Sequence, residues 1–127
     1  MAHVELSTGG VVPIDVEIVR DIESHLRGLS GVDDLRDEVG MLFVFEQEDL
    51  YPFWMKDVLL SLDLLFADLR GRIVTVYRDV LPQTERIYRP SSPSGLVLEV
   101  RAGFLARHGI QVGDHLTWKP IPLQERP

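Results

Sequence analysis

Three short stretches place polar side chains among apolar ones in a way that can support chemistry: Phe53-Trp54-Met55-Lys56-Asp57, Ser61-Leu62-Asp63-Leu64-Leu65 and Val97-Leu98-Glu99-Val100. A polar group flanked by apolar strand residues must either reach water or find a partner. Lys56 beside Asp57 supplies a cation and an acceptor, Trp54 a flat apolar platform, and Asp63 lies on the opposite pleat from Leu62 and Leu64, so these four can wall a pocket. The same residues also suit a structural ion pair of Lys56 with Asp57 or Asp63, with Trp54 filling core. A period of two turns Glu99 away from Leu98 and Val100. On that other face it can act as a general base if a cavity raises its pKa, or pair with an arginine across the sheet. A second group, Tyr77, Arg78, Arg86, Tyr88 and Arg89, gathers aromatic rings and guanidinium groups, which suit planar carboxylates and phosphates. Arginines from Arg70 to Arg89 equally suit a solvated face.

Other chemistries find little footing. His3, His25, His108 and His115 include no pair at the i, i+4 spacing of a helical metal site, and there is no cysteine. The sequence lacks a Gly-x-Ser-x-Gly elbow, a Gly-Lys-Ser/Thr phosphate loop and a dinucleotide fingerprint. No cofactor or metal is expected, and covalent or nucleotide-dependent enzymes are disfavoured.

The elements that must position these residues read as mainly β. Val12 to Val19 alternates with Ile14, Val16 and Ile18 inward. Asp21 to Leu29 has helical spacing, with Asp21 as its N-cap. Gly40 to Phe45 is continuously apolar and predicts a strand buried on both faces. After Pro52, Phe53 to Met55 predicts the next strand. Ser61 to Ala67 and Arg72 to Arg78 form a hairpin in which Gly71 takes positive φ. Residues 80 to 94, with Pro82, Pro90, Pro93 and three serines, are expected to hold no regular element and to rim a cleft. Gly95 to Arg101 predicts a strand with Leu96, Leu98 and Val100 inward, followed by a short helix over Ala102 to His108. A glycine-closed turn with Asp114 on nearby backbone leads to a last strand around Leu116 to Trp118. The expectation is a β-rich α+β domain, a small barrel or sandwich of six to seven short strands with two short helices.

The blocks Gly40-Met41-Leu42-Phe43-Val44-Phe45, Phe53-Trp54-Met55-Lys56-Asp57 and Leu62-Asp63-Leu64-Leu65-Phe66-Ala67-Asp68 occur in that order. They are followed by Gly71-Arg72-Ile73-Val74, Val97-Leu98-Glu99, Ala102-Gly103 and Gly109-Ile110-Gln111-Val112-Gly113-Asp114. With this order and spacing the chain resembles domain-of-unknown-function family 192 over roughly residues 16 to 118. The resemblance implies a compact β-rich domain of bacteria and archaea with no established reaction. The sequence departs from the family pattern after Gly28-Leu29, where Ser30-Gly31-Val32 stands in place of a methionine and a following arginine.

Length and charge complete the frame. At 127 residues the chain is expected to form one domain, with 119 to 127 a frayed tail. The net charge is -7, divided as -10 over residues 1 to 63 and +3 over 64 to 127. Overall acidity disfavours nucleic acid and anionic membranes as partners while leaving room for a local anion site. No export signal or apolar span is visible, so a cytoplasmic protein is expected. The leading functional expectation is a non-enzymatic binding or accessory domain. Its cleft near residues 80 to 94 would take a small polar or anionic ligand or a protein partner. The alternative is a hydrolase or lyase using Asp63, Glu99 and Lys56, which requires those side chains to converge.

Overall fold

A computed structural model describes residues 2–20, 39–55, 58–82 and 86–121. The helix expected over Asp21 to Leu29 therefore lies outside the described residues, as do Lys56, Asp57 and most of the expected tail.

Alternation builds the first hairpin. Ala2, Val4 and Leu6 of β1 (Ala2–Ser7) and Ile14 and Val16 of β2 (Val11–Val19) are buried, while His3, Glu5, Asp15 and Glu17 between them stay wet. The continuous apolar run at 40–45 opens β3 (Val39–Asp49), which pairs parallel to β2 and antiparallel to β8 (Ser94–Arg101). Next come the two-residue β4 (Phe53–Trp54), then β5 (Leu62–Ala67) and β6 (Ile73–Val80), joined as the predicted hairpin. The chain continues through β7 (Ile87–Tyr88), β8, the one-turn helix α1 (Phe104–Arg107) and β9 (His115–Pro120).

Seven strands form one sheet in the order β6-β5-β8-β3-β2-β1-β9, and β4 pairs only with β7. The β-rich class read from the sequence holds, with α1 as one of its two expected helices. The sheet curls into a half-barrel whose edges meet at one end. Arg72 bridges His115, and the Leu116 amide donates to the Gly71 carbonyl at 2.7 Å. Farther along, where β6 and β9 diverge, α1 and the turn after it fill the gap. The Ile73 amide donates to the Asp114 carbonyl, the Gly113 amide to the Ile73 carbonyl, and the Arg78 guanidinium to the Ile110 carbonyl. Phe104, Leu105 and Ile110 complete the core on the concave face together with Ile14, Leu42, Leu65 and Leu98.

Local details differ from the expectation. Residues 80–94 are not free of regular structure: β6 runs to Val80, Ile87–Tyr88 pairs with β4, and Ser94 opens β8. The prolines confine pairing to two residues without preventing it. Sheet order departs from chain order: β2 to β3 is parallel, and β5 sits between β6 and β8. Finally, β8 is buried on both faces, with Val97 packed in one cluster with Phe53 and Tyr88 of the β4–β7 ribbon.

Candidate functional site

Two faces of the same sheet receive the two buried carboxylates. Residues directly opposite each other in register point to the same side of a sheet, and neighbours along a strand point to opposite sides. Asp63 is opposite Val100, on the concave face; Glu99 is opposite Leu64 on one side and Met41 on the other, on the convex face. The two do not converge.

Asp63 serves the backbone. Its Oδ1 accepts from the Asp79 amide at 2.9 Å, and its Oδ2 accepts from the amides of Gly103 at 3.2 Å and Leu105 at 3.0 Å. One carboxylate thus satisfies the first amides of α1, whose N-cap has no side-chain bond of its own, and anchors Asp79, which holds φ 54 at a bulge in β6. The predicted pocket-wall role gives way to that of an interior staple.

Glu99 has no such partners. It is 5% exposed, its Oε2 is closed to solvent with no hydrogen-bond partner, and burial pushes its carboxyl up to about 8. The arginine contact expected across the sheet is not made: β5 and β3 put Leu64 and Met41 beside it.

The remaining described candidates, Trp54, Tyr77, Arg86, Tyr88 and Arg89, lie on and under the β4–β7 ribbon. Phe53 is opposite Tyr88 and Trp54 is opposite Ile87, so the first pair faces the sheet and the second faces out. Phe53 meets Phe43, Phe66 and Phe45 edge-on at 5.0, 5.7 and 6.5 Å, and Tyr88 meets Tyr77 at 5.0 Å. Tyr77 holds the ribbon from below through its hydroxyl, which donates to the Arg89 carbonyl at 2.5 Å. Beyond it, the Ser91 amide donates to the Thr75 hydroxyl at 2.8 Å, so this stretch lies along β6. The Arg86 guanidinium sits 4.9 Å over the Tyr88 ring, and Arg89 is exposed beside it in sequence. Trp54, 50% exposed, does not fill core. Trp54 and Ile87, 33 positions apart, thus share the outward face of the ribbon, while Tyr88 lies on its sheet-facing side with the Arg86 guanidinium over its ring. Arg70, Arg72 and Arg78 are exposed elsewhere along β6 and the turn before it.

Among the described residues no group of three or more His, Cys, Asp or Glu side chains can hold a metal, and no helix is long and apolar enough to cross a membrane. The His108 ring lies 4.6 Å from Phe104, and His115 Nε2 bonds the Arg70 carbonyl at 3.1 Å.

Comparison with known proteins agrees with the fold. The model of domain-of-unknown-function family 192, described as "Uncharacterized ACR", matches residues 4–118. No curated protein matches. Among solved structures, "a putative transcription regulator" from Sinorhizobium meliloti 1021 is similar at 31% identity and a TM-score of 0.90, over 93% of this chain and 94% of that one. A protein of unknown function from Novosphingobium aromaticivorans DSM 12444 is similar at 31% identity and a TM-score of 0.88, over 91% and 84%.

Proposed function

Because the chain belongs to domain-of-unknown-function family 192, a family without an assigned reaction, we propose its function from its own geometry: it is a non-enzymatic binding domain. Its site is the β4–β7 ribbon, where Trp54, Arg86 and Arg89 take a small organic anion or the anionic end of a partner's peptide, with Tyr88 packed beneath. The observation that carries this reading is the pairing of Phe53–Trp54 with Ile87–Tyr88. It places Trp54 and Ile87 together on the outward face, both half-exposed, on a ribbon whose second strand is flanked by Arg86 and Arg89. Guanidinium groups supply bidentate donors for a carboxylate or phosphate, and the indole supplies area for an apolar body.

A hydrolase or lyase built on Asp63 and Glu99 has less support. Asp63 spends both oxygens on backbone amides, and Glu99 lies across the sheet from it. Binding to nucleic acid is opposed by a net charge of -7.

The test is a thermal-shift titration with organic acids, phosphorylated metabolites and short peptides, on the wild type and on the double variant R86A/R89A. A ligand at a hundredfold excess over its Kd adds about 2.7 kcal/mol of stability, a shift of several degrees. The wild type should respond to anions and the double variant should lose that response while keeping its own melting temperature within about 2 °C. An undiminished response in R86A/R89A would remove the ribbon as the site.

A further inference from the structure

On the far side of β6 from the ribbon, another arginine lines a cleft. Tyr77 stands opposite Leu64 on the convex face, so Arg78, the next residue, turns to the concave side. There α1 and the turn after it fill the gap between β6 and β9, and the Arg78 guanidinium donates to the Ile110 carbonyl at 2.6 Å. Arg78, Ala106, Gly109, Ile110, Gln111 and Val112 line a cleft of about 560 Å³. The ribbon packs on the opposite face of the sheet, so the two places are separate.

Most backbone groups of the lining are spent. The carbonyls of Ala106, Gly109, Ile110 and Gln111 accept from the Gly109 amide, the Thr8 hydroxyl, the Arg78 guanidinium and the Asp114 amide respectively. The amides of Gly109, Ile110 and Gln111 donate to the Ala106 carbonyl, the Leu105 carbonyl and Asp114 Oδ2. Donors remain on Arg78 and Val112. A guanidinium carries several N–H groups, and among the described residues that of Arg78 makes one bond and the Val112 amide makes none. Both are fixed before any ligand arrives. Arg78 is held by Ile110, and the turn carrying Val112 is bolted to β6 by the Gly113 amide on the Ile73 carbonyl and the Ile73 amide on the Asp114 carbonyl, each at 2.9 Å. Val112 is 59% exposed and Ala106 is exposed as well, so apolar carbon borders these donors.

We propose that this cleft binds a short aliphatic carboxylate. Its oxygens take the remaining N–H groups of Arg78 and the amide of Val112, and its alkyl body lies on Ala106 and Val112. The lining offers positive charge and unspent donors, and a guanidinium presents them in a fork that matches a carboxylate. Donors already held in position cost little to order on binding, which favours a ligand this small. The site goes beyond the function proposed for the ribbon and does not depend on it.

The turn itself supplies a variant that removes one donor and respects the fold. The Asp114 amide donates to the Gln111 carbonyl at 3.1 Å, with Gly113 at φ 96° in third place, the pattern of a type II turn, whose second position favours proline. V112P therefore deletes the amide donor and keeps apolar carbon in its place. The experiment follows backbone amide resonances while isovalerate is added at pH 7 to the wild type, V112P, R78Q and R86A/R89A. Isovaleramide is the uncharged control, and thermal melts confirm the fold. Saturable shifts are expected at Ala106, Gln111 and Val112 with isovalerate, and none with isovaleramide. A hydrogen bond to a charged group is worth roughly tenfold or more in affinity, so V112P and R78Q should each bind at least about tenfold more weakly, while R86A/R89A binds as the wild type does. If R78Q fails to fold, V112P alone decides. Shifts that do not saturate, equal shifts with isovaleramide, or undiminished binding in V112P would overturn the site. Loss of binding in R86A/R89A alone would move the acid to the ribbon, overturning the cleft and supporting the ribbon reading.

Discussion

Asp63 and Glu99 occupy adjacent strands, and both are buried, yet they carry opposite electrostatic consequences. Three backbone amides converge on Asp63, so its negative charge is solvated by the fold. Glu99 meets hydrocarbon, and its charge is not. Because its folded-state pKa of about 8 lies above the unfolded value of 4.5, the folded chain holds a proton that the unfolded chain releases. Stability therefore falls as pH rises between those values, by roughly 1 kcal/mol per pH unit from this group, and levels off above the upper one. E99Q removes that dependence. Chemical denaturation at pH 5, 6.5 and 8 should show the variant gaining on the wild type at each step, by a few kcal/mol across the range; parallel profiles would mean that Glu99 is ionised in the fold. Both carboxylates stood out in the sequence as polar breaks in apolar runs, but their separate duties did not. Those depend on α1 arriving beside Asp63 from 40 residues away, a fact of topology that no local spacing encodes.

The same division runs through the elements. Strand β1 is legible in the sequence, since Ala2, Val4 and Leu6 alternate with His3 and Glu5. Strands of two residues, by contrast, leave no period to read, and β4 and β7 owe their pairing to Phe53 and Tyr88 finding a common aromatic floor. Val97 between Leu96 and Leu98 was the available sign that β8 is covered on both sides, a continuous apolar run being the mark of a strand with no wet face. Packing and exposure then assign different tasks to adjacent ribbon residues. F53A removes a ring with three edge-on partners and should cost about 3 to 4 kcal/mol. W54A, at a half-exposed position, should change stability by less than about 1 kcal/mol while weakening any ligand held at the ribbon. Urea denaturation of the two variants checks the contrast, and equal losses would make Trp54 a packing residue.

At the scale of the molecule, the question is what makes a seven-stranded sheet close. Its outer strands β6 and β9 touch only near Gly71, so one short seam converts an open sheet with two free edges into a half-barrel plugged by α1. The turn chemistry at Gly71 was readable in the sequence, and its φ of 95° agrees. Its second duty was not: a Cβ there would lie 2.0 Å from the Leu116 carbonyl oxygen, so the residue must also be small enough to let β9 approach. Gly9, in the β1–β2 turn, separates the two effects, since it has φ 86° and nothing within 4 Å of an added Cβ. G9A should therefore cost only the left-handed conformation, about 1 to 2 kcal/mol. G71A carries the same strain and the overlap with β9 backbone, and should lose at least about 2 kcal/mol more. Hydrogen exchange locates the difference: the Leu116 amide, bonded to the Gly71 carbonyl, and the Ile73 amide, bonded to Asp114, should lose protection in G71A and keep it in G9A. Equal destabilisation by the two variants, with Leu116 still protected, would show that β9 is held by its pairing with β1 alone and that the seam adds nothing to closure.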